Sequence, residues 1–381
     1  MKILVIKLTP LNIITSATIR TLAIIRGLLE LGHNVDVLSL ANNDLFAKRD
    51  YYEYIKGANI IPLNNNEKIY NNIVMNKSEF YKKYILKYLR KIYHAFNIYD
   101  HNKKLALNIN INLLPQSKYD LIITSSDPKI SHLTIQNLKN QGLEYNKWIQ
   151  YWGDPMAIDI SNSIFMPKIL LKYEEKHILR QADKIVYVSP FTLEAQKKLY
   201  PNLANRMFFL PVPYLEEEYY EPTNNSKFII GYYGNYTLHI RNLIPFYNAA
   251  KQINEAETSI YGNSDIVLKS TENVKIFPSG VVVEHQKIAD LLICVLNSKG
   301  TQIPGKLYHL AGTNKKVLII LDGEYKDEMF KYLSSFNRFI FCDNNEEDIR
   351  KTILDIINKK PQYNPCKKLR WNYIAQKMID E

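Results

Sequence analysis

Two periodicities alternate along this chain. Short, nearly continuous apolar runs, such as Lys2–Leu8 and Val35–Leu40, read as strands buried on both faces. Between them lie longer segments with apolar residues at helical spacing. Within Ser16–Leu31 these are Ile19, Leu22, Ala23 and Leu29, and Gly32 stops the helix. Leu121–Thr124, Trp148–Tyr151, Lys184–Val188 and Met207–Leu210 continue the strand series. Strands alternating with helices predict a doubly wound α/β domain, its parallel sheet covered on both faces.

The series pauses at Pro211–Ser226, which holds Pro211, Pro213, Pro222, a Glu216–Glu218 run and the polar string Thr223-Asn224-Asn225-Ser226. It restarts with a strand at Phe228–Tyr233, a helix over Asn242–Asn254 and strands at Ser259–Tyr261, Leu291–Val295, Lys316–Leu321 and Phe339–Cys342. The expected division is therefore 1–212, 213–360 and a terminal segment 361–381 whose helix spans Lys368–Ile379. A length of 381 residues suits two domains.

Charge adds a further distinction. Up to Val212 there are 28 Lys/Arg and 17 Asp/Glu; from Pro213 onward there are 21 of each, so the whole net charge of +11 lies in the first half. A basic half points to an anionic partner: a membrane surface, a phosphorylated acceptor or a nucleic acid. No nucleic-acid recognition module accompanies it, and no apolar stretch is long enough to span a bilayer. Cys294, Cys342 and Cys366 have neither zinc-site spacing nor an even count, which fits a reducing cytoplasm.

The first strand-to-helix turn, Thr9-Pro10-Leu11-Asn12-Ile13-Ile14-Thr15-Ser16, has no glycine. A dinucleotide fingerprint needs glycines there so that the backbone can approach a pyrophosphate, and no P-loop pattern exists elsewhere. NAD and ATP enzymology are disfavoured.

Four further stretches follow in order: Gly32-His33-Asn34-Val35; Ala182-Asp183-Lys184-Ile185-Val186-Tyr187-Val188-Ser189; Gly231-Tyr232-Tyr233-Gly234-Asn235; and Ala289-Asp290-Leu291-Leu292-Ile293 leading to Pro304-Gly305-Lys306-Leu307-Tyr308-His309. Together they resemble the retaining, metal-independent glycosyltransferases of the family-4 type, in a branch common in bacterial capsule and O-antigen synthesis. The resemblance implies a GT-B fold, with two Rossmann-like domains facing a cleft and the last helix returning to the first domain. It implies transfer from a UDP- or GDP-linked sugar to a glycan or polyprenyl-diphosphate-linked acceptor, with neither cofactor nor metal. A nucleotide-sugar-binding protein or an epimerase is the alternative on the same fold.

The resemblance places the donor at Gly234, Asn235, Arg241, Gly305, Lys306, Tyr308 and His309, with the base near Phe277–Val281, including Ser279 and Val281. Physical chemistry agrees in part. Gly305 and Lys306 open a predicted helix, where N–H groups, the dipole and a point charge attract a diphosphate, and Arg241 opens the preceding helix. Three positions differ from the family. Asn235 stands where Arg is usual, His309 where Glu accepts ribose hydroxyls, and Ser126 where a catalytic His is frequent. Asp154, in Tyr151-Trp152-Gly153-Asp154-Pro155, resembles the family's Asp-Pro motif and lies just past a strand end; it is the first catalytic candidate, to orient an acceptor hydroxyl or take its proton. Asp127 is the second. His132 and His177 are expected on helices as packing residues.

Asn76–Lys104 holds eight Lys/Arg against Glu79 and Asp100, interleaved with aromatics. A basic amphipathic helix there, with Lys82, Lys83, Lys87, Arg90 and Lys91 facing lipid, predicts peripheral docking on the anionic inner face of the cytoplasmic membrane.

Overall fold

The computed structural model describes residues 1–13, 15–42, 51–63, 99, 103–158, 167–222, 225–280 and 282–381. Strands β1 (Lys2–Pro10), β2 (Asn34–Leu40), β3 (Asn59–Leu63), β4 (Lys118–Ser125), β5 (Glu144–Trp152), β6 (Lys184–Tyr187) and β7 (Met207–Phe209) pair in parallel in the order β3-β2-β1-β4-β5-β6-β7. Strands β8 (Phe228–Tyr233), β9 (Ala256–Tyr261), β10 (Val274–Phe277), β11 (Leu291–Val295), β12 (Lys316–Leu321) and β13 (Ile340–Asp343) form a second parallel sheet, β10-β9-β8-β11-β12-β13. The two expected parallel sheets are present. The pattern reading missed β3 and β10, each at one edge of its sheet; β7 and β13, at the opposite edges, were read as strands. Each missed strand is short, partly exposed and interrupted by a residue unsuited to a buried strand, Pro62 in one and Lys275 in the other.

Helices α1 (Ser16–Glu30), α2 (Lys103–Leu107), α3 (Thr134–Asn140), α4 (Lys168–Leu179), α5 (Pro190–Leu199), α6 (Ile244–Lys251), α7 (Val283–Ile288), α8 (Gly305–Leu310), α9 (Lys326–Ser334), α10 (Glu346–Lys359) and α11 (Trp371–Asp380) connect the strands or follow them. Local chemistry sets their limits. Thr15 Oγ1 caps α1 by accepting the Thr18 N–H at 3.1 Å, and Gly32 takes the left-handed φ of +79° just beyond its end. Asn345 caps α10, whose first turn carries Glu346, Glu347 and Asp348 against the helix dipole.

Each sheet winds both ways from its first strand, so its topological switch point lies between β1 and β4 in one and between β8 and β11 in the other. The carboxyl ends of strands flanking that point are where open α/β sheets bind ligands. Ile6, Ile122, Trp148 and Trp152 lie in the first core, and Tyr232, Phe246, Val295 and Leu318 in the second.

Contacts divide the chain into Met1–Pro211 with Trp371–Glu381, and Val212–Arg370. The last helix belongs to the first unit because it lies directly on α1. A Cβ added to Gly27 would stand 2.4 Å from the Trp371 carbonyl oxygen, and the Arg26 guanidinium lies 3.6 Å from the centre of the Trp371 ring. Residues just before it stay with the second unit, through Cys366 N–H to the Ala311 carbonyl at 2.8 Å and Tyr214 N–H to the Leu369 carbonyl at 3.1 Å.

Candidate functional site

In the second unit, two loops meet tightly at the carboxyl ends of β8 and β9. A Cβ on Gly262 would lie 2.1 Å from the Gly234 carbonyl oxygen, and a Cβ on Gly234 would lie 3.1 Å from the Lys306 ammonium. Only glycine fits at 262. Lys306, in the first turn of α8, reaches the end of β8. Its Nζ donates to the Tyr233 carbonyl at 3.0 Å and stands 4.4 Å from the centre of the Tyr232 ring.

Arg241 was expected to open a helix, but α6 begins only at Ile244. Arg241 instead sits in a turn closed by its own N–H to the Thr237 carbonyl at 2.8 Å. From there its guanidinium spans the switch point. Nη1 donates to the Asn235 carbonyl at 3.1 Å, past β8, and Nη2 to Asn297 Oδ1 at 2.7 Å, past β11. Its Nε is buried and has no partner among the described residues. The Asn235 side chain accepts the Asn263 N–H at 3.0 Å, so it ties the two glycine loops together.

Burial, opposed by Cys294 and reinforced by Arg241, pushes the Lys306 ammonium down to about 8. Neither Lys306 nor Arg241 has a carboxylate partner among the described residues; Lys306 donates to a carbonyl oxygen, and Arg241 to a carbonyl and an amide oxygen. Because α8 has only six residues, the positive potential at its start comes from lysine more than from a helix dipole.

His309 lies in the same short helix. Burial holds its imidazole down at about 4, so it is neutral at pH 7, and its Nε2 is buried without a partner among the described residues. Tyr308 turns into the core, 1% exposed, with its hydroxyl 3.2 Å from that of Tyr332. The ends of β8, β9 and β10 carry an aromatic group. Tyr261 and Phe277 stack at 4.4 Å, and His285 Nε2 meets the Tyr261 hydroxyl at 3.0 Å while its carbonyl accepts the Tyr233 hydroxyl at 2.9 Å. Phe277 remains 37% exposed. Ser279 is exposed beyond β10, and Val281 lies outside the described residues.

In the first unit, the ends of β4 and β5 are pinned together by Gly153 N–H donating to Ser126 Oγ at 2.9 Å. This joins the loops that carry Asp127 and Asp154. Ser126 therefore has a structural task of its own. The fully buried Lys7 donates to the Asp127 carbonyl, and Arg20 to the Ser126 carbonyl. Burial, helped by Arg20 and opposed by Asp127, takes Lys7 down to about 7. Burial alone would raise the Asp127 carboxyl; Lys129 at 3.0 Å, Arg20 and Lys7 outweigh it and hold the acid below its usual range. Asp127 is thus a neutralised anion and a poor proton acceptor. Asp154 is half-buried at the end of β5. The loop after it is held by the buried Glu175, which accepts the Met156 N–H at 2.6 Å, the Ala157 N–H at 3.3 Å and the Tyr200 hydroxyl at 2.7 Å.

His132 lies on a 3-10 turn, 1% exposed and stacked on Trp152 at 4.4 Å; His177 is on α4. Lys82, Lys83, Lys87, Arg90 and Lys91 lie outside the described residues. Gly262, Asn297 and Glu175 were not anticipated. Gly262 alone had a signal, a glycine directly after an apolar strand, as Gly234 is after β8.

No protein-family profile matches the chain, and no curated protein matches it. Solved structures do. A glycosyltransferase from Rickettsia africae aligns over 100% of this chain and 93% of its own, at 13% identity and a TM-score of 0.53. Anabaena HepE, solved in complex with UDP-glucose, aligns over 99% and 94%, at 10% identity and a TM-score of 0.54. Sucrose-phosphate synthase from Thermosynechococcus elongatus aligns over 100% and 97%, at 14% identity and a TM-score of 0.55. Identities this low speak to fold: the chain has the GT-B architecture of two parallel-sheet α/β domains.

Proposed function

We propose that this protein is a glycosyltransferase that binds a nucleotide-sugar donor on its second unit. The carrying observation is the pair of half-buried cations, Lys306 and Arg241, brought together at the β8/β11 switch point with no carboxylate partner among the described residues. A nucleoside diphosphate supplies the missing charge. Both cations then offset the negative charge that grows on the leaving diphosphate, which is electrostatic catalysis. The Tyr261–Phe277 stack offers an exposed aromatic face to a base, and the unpartnered His309 Nε2 offers a hydrogen bond to a hydroxyl of the donor. HepE, of the same fold, is solved with UDP-glucose, so a UDP-sugar heads the donor series, followed by GDP-sugars.

The acceptor end of the reaction belongs to the first unit. Asp154 orients the acceptor hydroxyl, on a loop that Glu175 fixes, while Asp127 stays paired with Lys129. In a retaining course a leaving phosphate oxygen takes the hydroxyl proton. No metal is needed in this scheme, because side-chain cations do the charge work. A glycan or lipid-linked glycan of a bacterial surface polysaccharide is the proposed acceptor, in keeping with the sequence resemblance.

The test is incubation with a panel of UDP- and GDP-sugars, reading released nucleotide with and without EDTA. Turnover of one donor, undiminished by EDTA, is expected. Tight binding of a nucleotide sugar with neither hydrolysis nor transfer would instead favour a binding protein, and failure to bind any nucleotide would end the proposal.

A further inference from the structure

The outward side of α4 departs from an ordinary solvated helix. Its inward side buries Leu171, Glu175, Ile178 and Leu179. Its outward side exposes Ile169 by 73%, Leu170 by 51% and Tyr173 by 71%. Lys168, Lys172 and Lys176 recur every four residues among them, all exposed, and Arg180 follows at the exposed end. The two carboxylates of the helix are both withdrawn from this surface. Glu175 is buried with the Met156 and Ala157 N–H groups, and Glu174 accepts the Tyr99 hydroxyl at 2.6 Å. Lys103 extends the basic surface, its ammonium 4.6 Å from the centre of the Tyr99 ring.

We infer that this face is a docking surface for an anionic lipid bilayer. Three exposed apolar side chains flanked by lysines on one turn after another cost free energy in water. At a bilayer interface the apolar groups enter the acyl boundary while the long lysine stems let their ammonium groups reach lipid phosphates. Tyr173, with an apolar ring and a polar tip, suits the same depth. A protein partner would equally bury the apolar trio. The uniform positive charge, with both acids turned inward, complements a surface of one sign, and an anionic leaflet supplies that over any area. The face lies in the half of the chain that holds all of the net charge. The inference does not rest on sugar transfer, and its test uses neither donor nor acceptor.

The full chain is sedimented with phosphatidylcholine vesicles with and without phosphatidylglycerol, in low and high salt. Binding to the anionic vesicles, weakened by salt, is expected. Lys168→Gln/Lys172→Gln/Lys176→Gln should lose about fivefold in vesicle affinity per lysine. Ile169→Ser/Leu170→Ser/Tyr173→Ser should lose at least as much while melting close to wild type, since Ile169 and Tyr173 are 73% and 71% exposed and Leu170 51%. The comparator replaces Lys82, Lys83, Lys87, Arg90 and Lys91 with Gln. If that variant alone loses binding and both α4 variants keep it, the inference falls. It falls equally if wild type ignores anionic vesicles, or if the apolar variant only abolishes self-association in lipid-free solution.

Discussion

Lys306→Met keeps the length of the side chain and removes its charge. The fold holds this ammonium at a cost, since its pKa is pushed from 10.5 to about 8. A shift of that size corresponds to on the order of 3 kcal/mol against the charged form. The sign follows from linkage. The pKa in the fold lies below that in the unfolded chain, so the cost is fully present below pH 8 and fades as pH rises toward 10.5. Methionine removes the cost but gives up the hydrogen bond to the Tyr233 carbonyl, worth about 1.5–3 kcal/mol for a charged donor. The two nearly offset, and the variant should melt within a few degrees of wild type.

Nucleotide binding should not be spared. Losing a charge-assisted bond to the diphosphate costs about 1.5–3 kcal/mol, roughly 10- to 150-fold in Kd for UDP or GDP. Calorimetric titration at pH 7 and pH 9 supplies a second signature. Wild-type affinity should fall above about pH 8, as the ammonium loses its proton, while that of the methionine variant stays flat. A lysine kept for structure gives the opposite pattern, lower stability with affinity intact, and that result would refute the donor assignment.

Gly262→Ala drives a Cβ into the Gly234 carbonyl, so it should cost about 2–4 kcal/mol in chemical denaturation and abolish UDP binding by displacing the β8 loop. Glu175→Ala leaves the Met156 and Ala157 N–H groups and the Tyr200 hydroxyl without their acceptor; a loss of about 3 kcal/mol or more is expected, with UDP affinity unchanged because the proposed donor residues lie in the other unit. His132 and His309 are held by burial at about 3 and about 4, below the ordinary 6.5, so the unfolded chain takes up protons that the fold refuses. Stability should therefore fall as pH drops below about 6.5, by on the order of 3–5 kcal/mol for each group once pH passes its folded value, and urea midpoints along a pH series would show it. An acid limb that is flat between pH 6.5 and 4 would contradict the burial of both rings.

The fold was legible because parallel strands are buried on both faces, so runs such as Ile3–Ile6 and Val317–Leu321 read as strands without any alternation. The strands β3 and β10 were not, since Pro62 and Lys275 interrupt runs that are already short, which edge positions tolerate. Around the site, Lys306 and Gly234 could be named from the resemblance. What they touch could not, because Lys306 meets Tyr233 from 73 residues away in sequence and Arg241 meets Asn297 from 56. Periodicity reports neighbours along one element and is silent about which loops share a sheet edge. Tyr308 shows the same limit from the other side. It is adjacent to His309, yet helix geometry sends its ring into the core.

Both units bury cations near a switch point, and the contrast between them bears on chemistry. In the first, Lys7 and Arg20 donate to the carbonyls of Asp127 and Ser126, and with Lys129 they face the Asp127 carboxylate, which is held as an anion. That cluster holds one carboxylate against three cations, and burial still takes Lys7 down to about 7; its hydrogen bonds fix the loop next to the Asp154 loop, to which Ser126 joins it through Gly153. In the second, Lys306 and Arg241 have no carboxylate partner among the described residues, and burial lowers the pKa of the lysine as it does that of Lys7. A sequence free to optimise stability would replace such a lysine with an apolar residue of similar length, since unpaired buried charge is unfavourable. Its presence is accounted for if the compensating charge arrives with a ligand. Arg241 Nε and His309 Nε2, both buried and without a partner among the described residues, extend the argument from charge to hydrogen bonding. The proposed ligand, a nucleoside diphosphate sugar, is a polyanion with hydroxyl groups and meets each requirement.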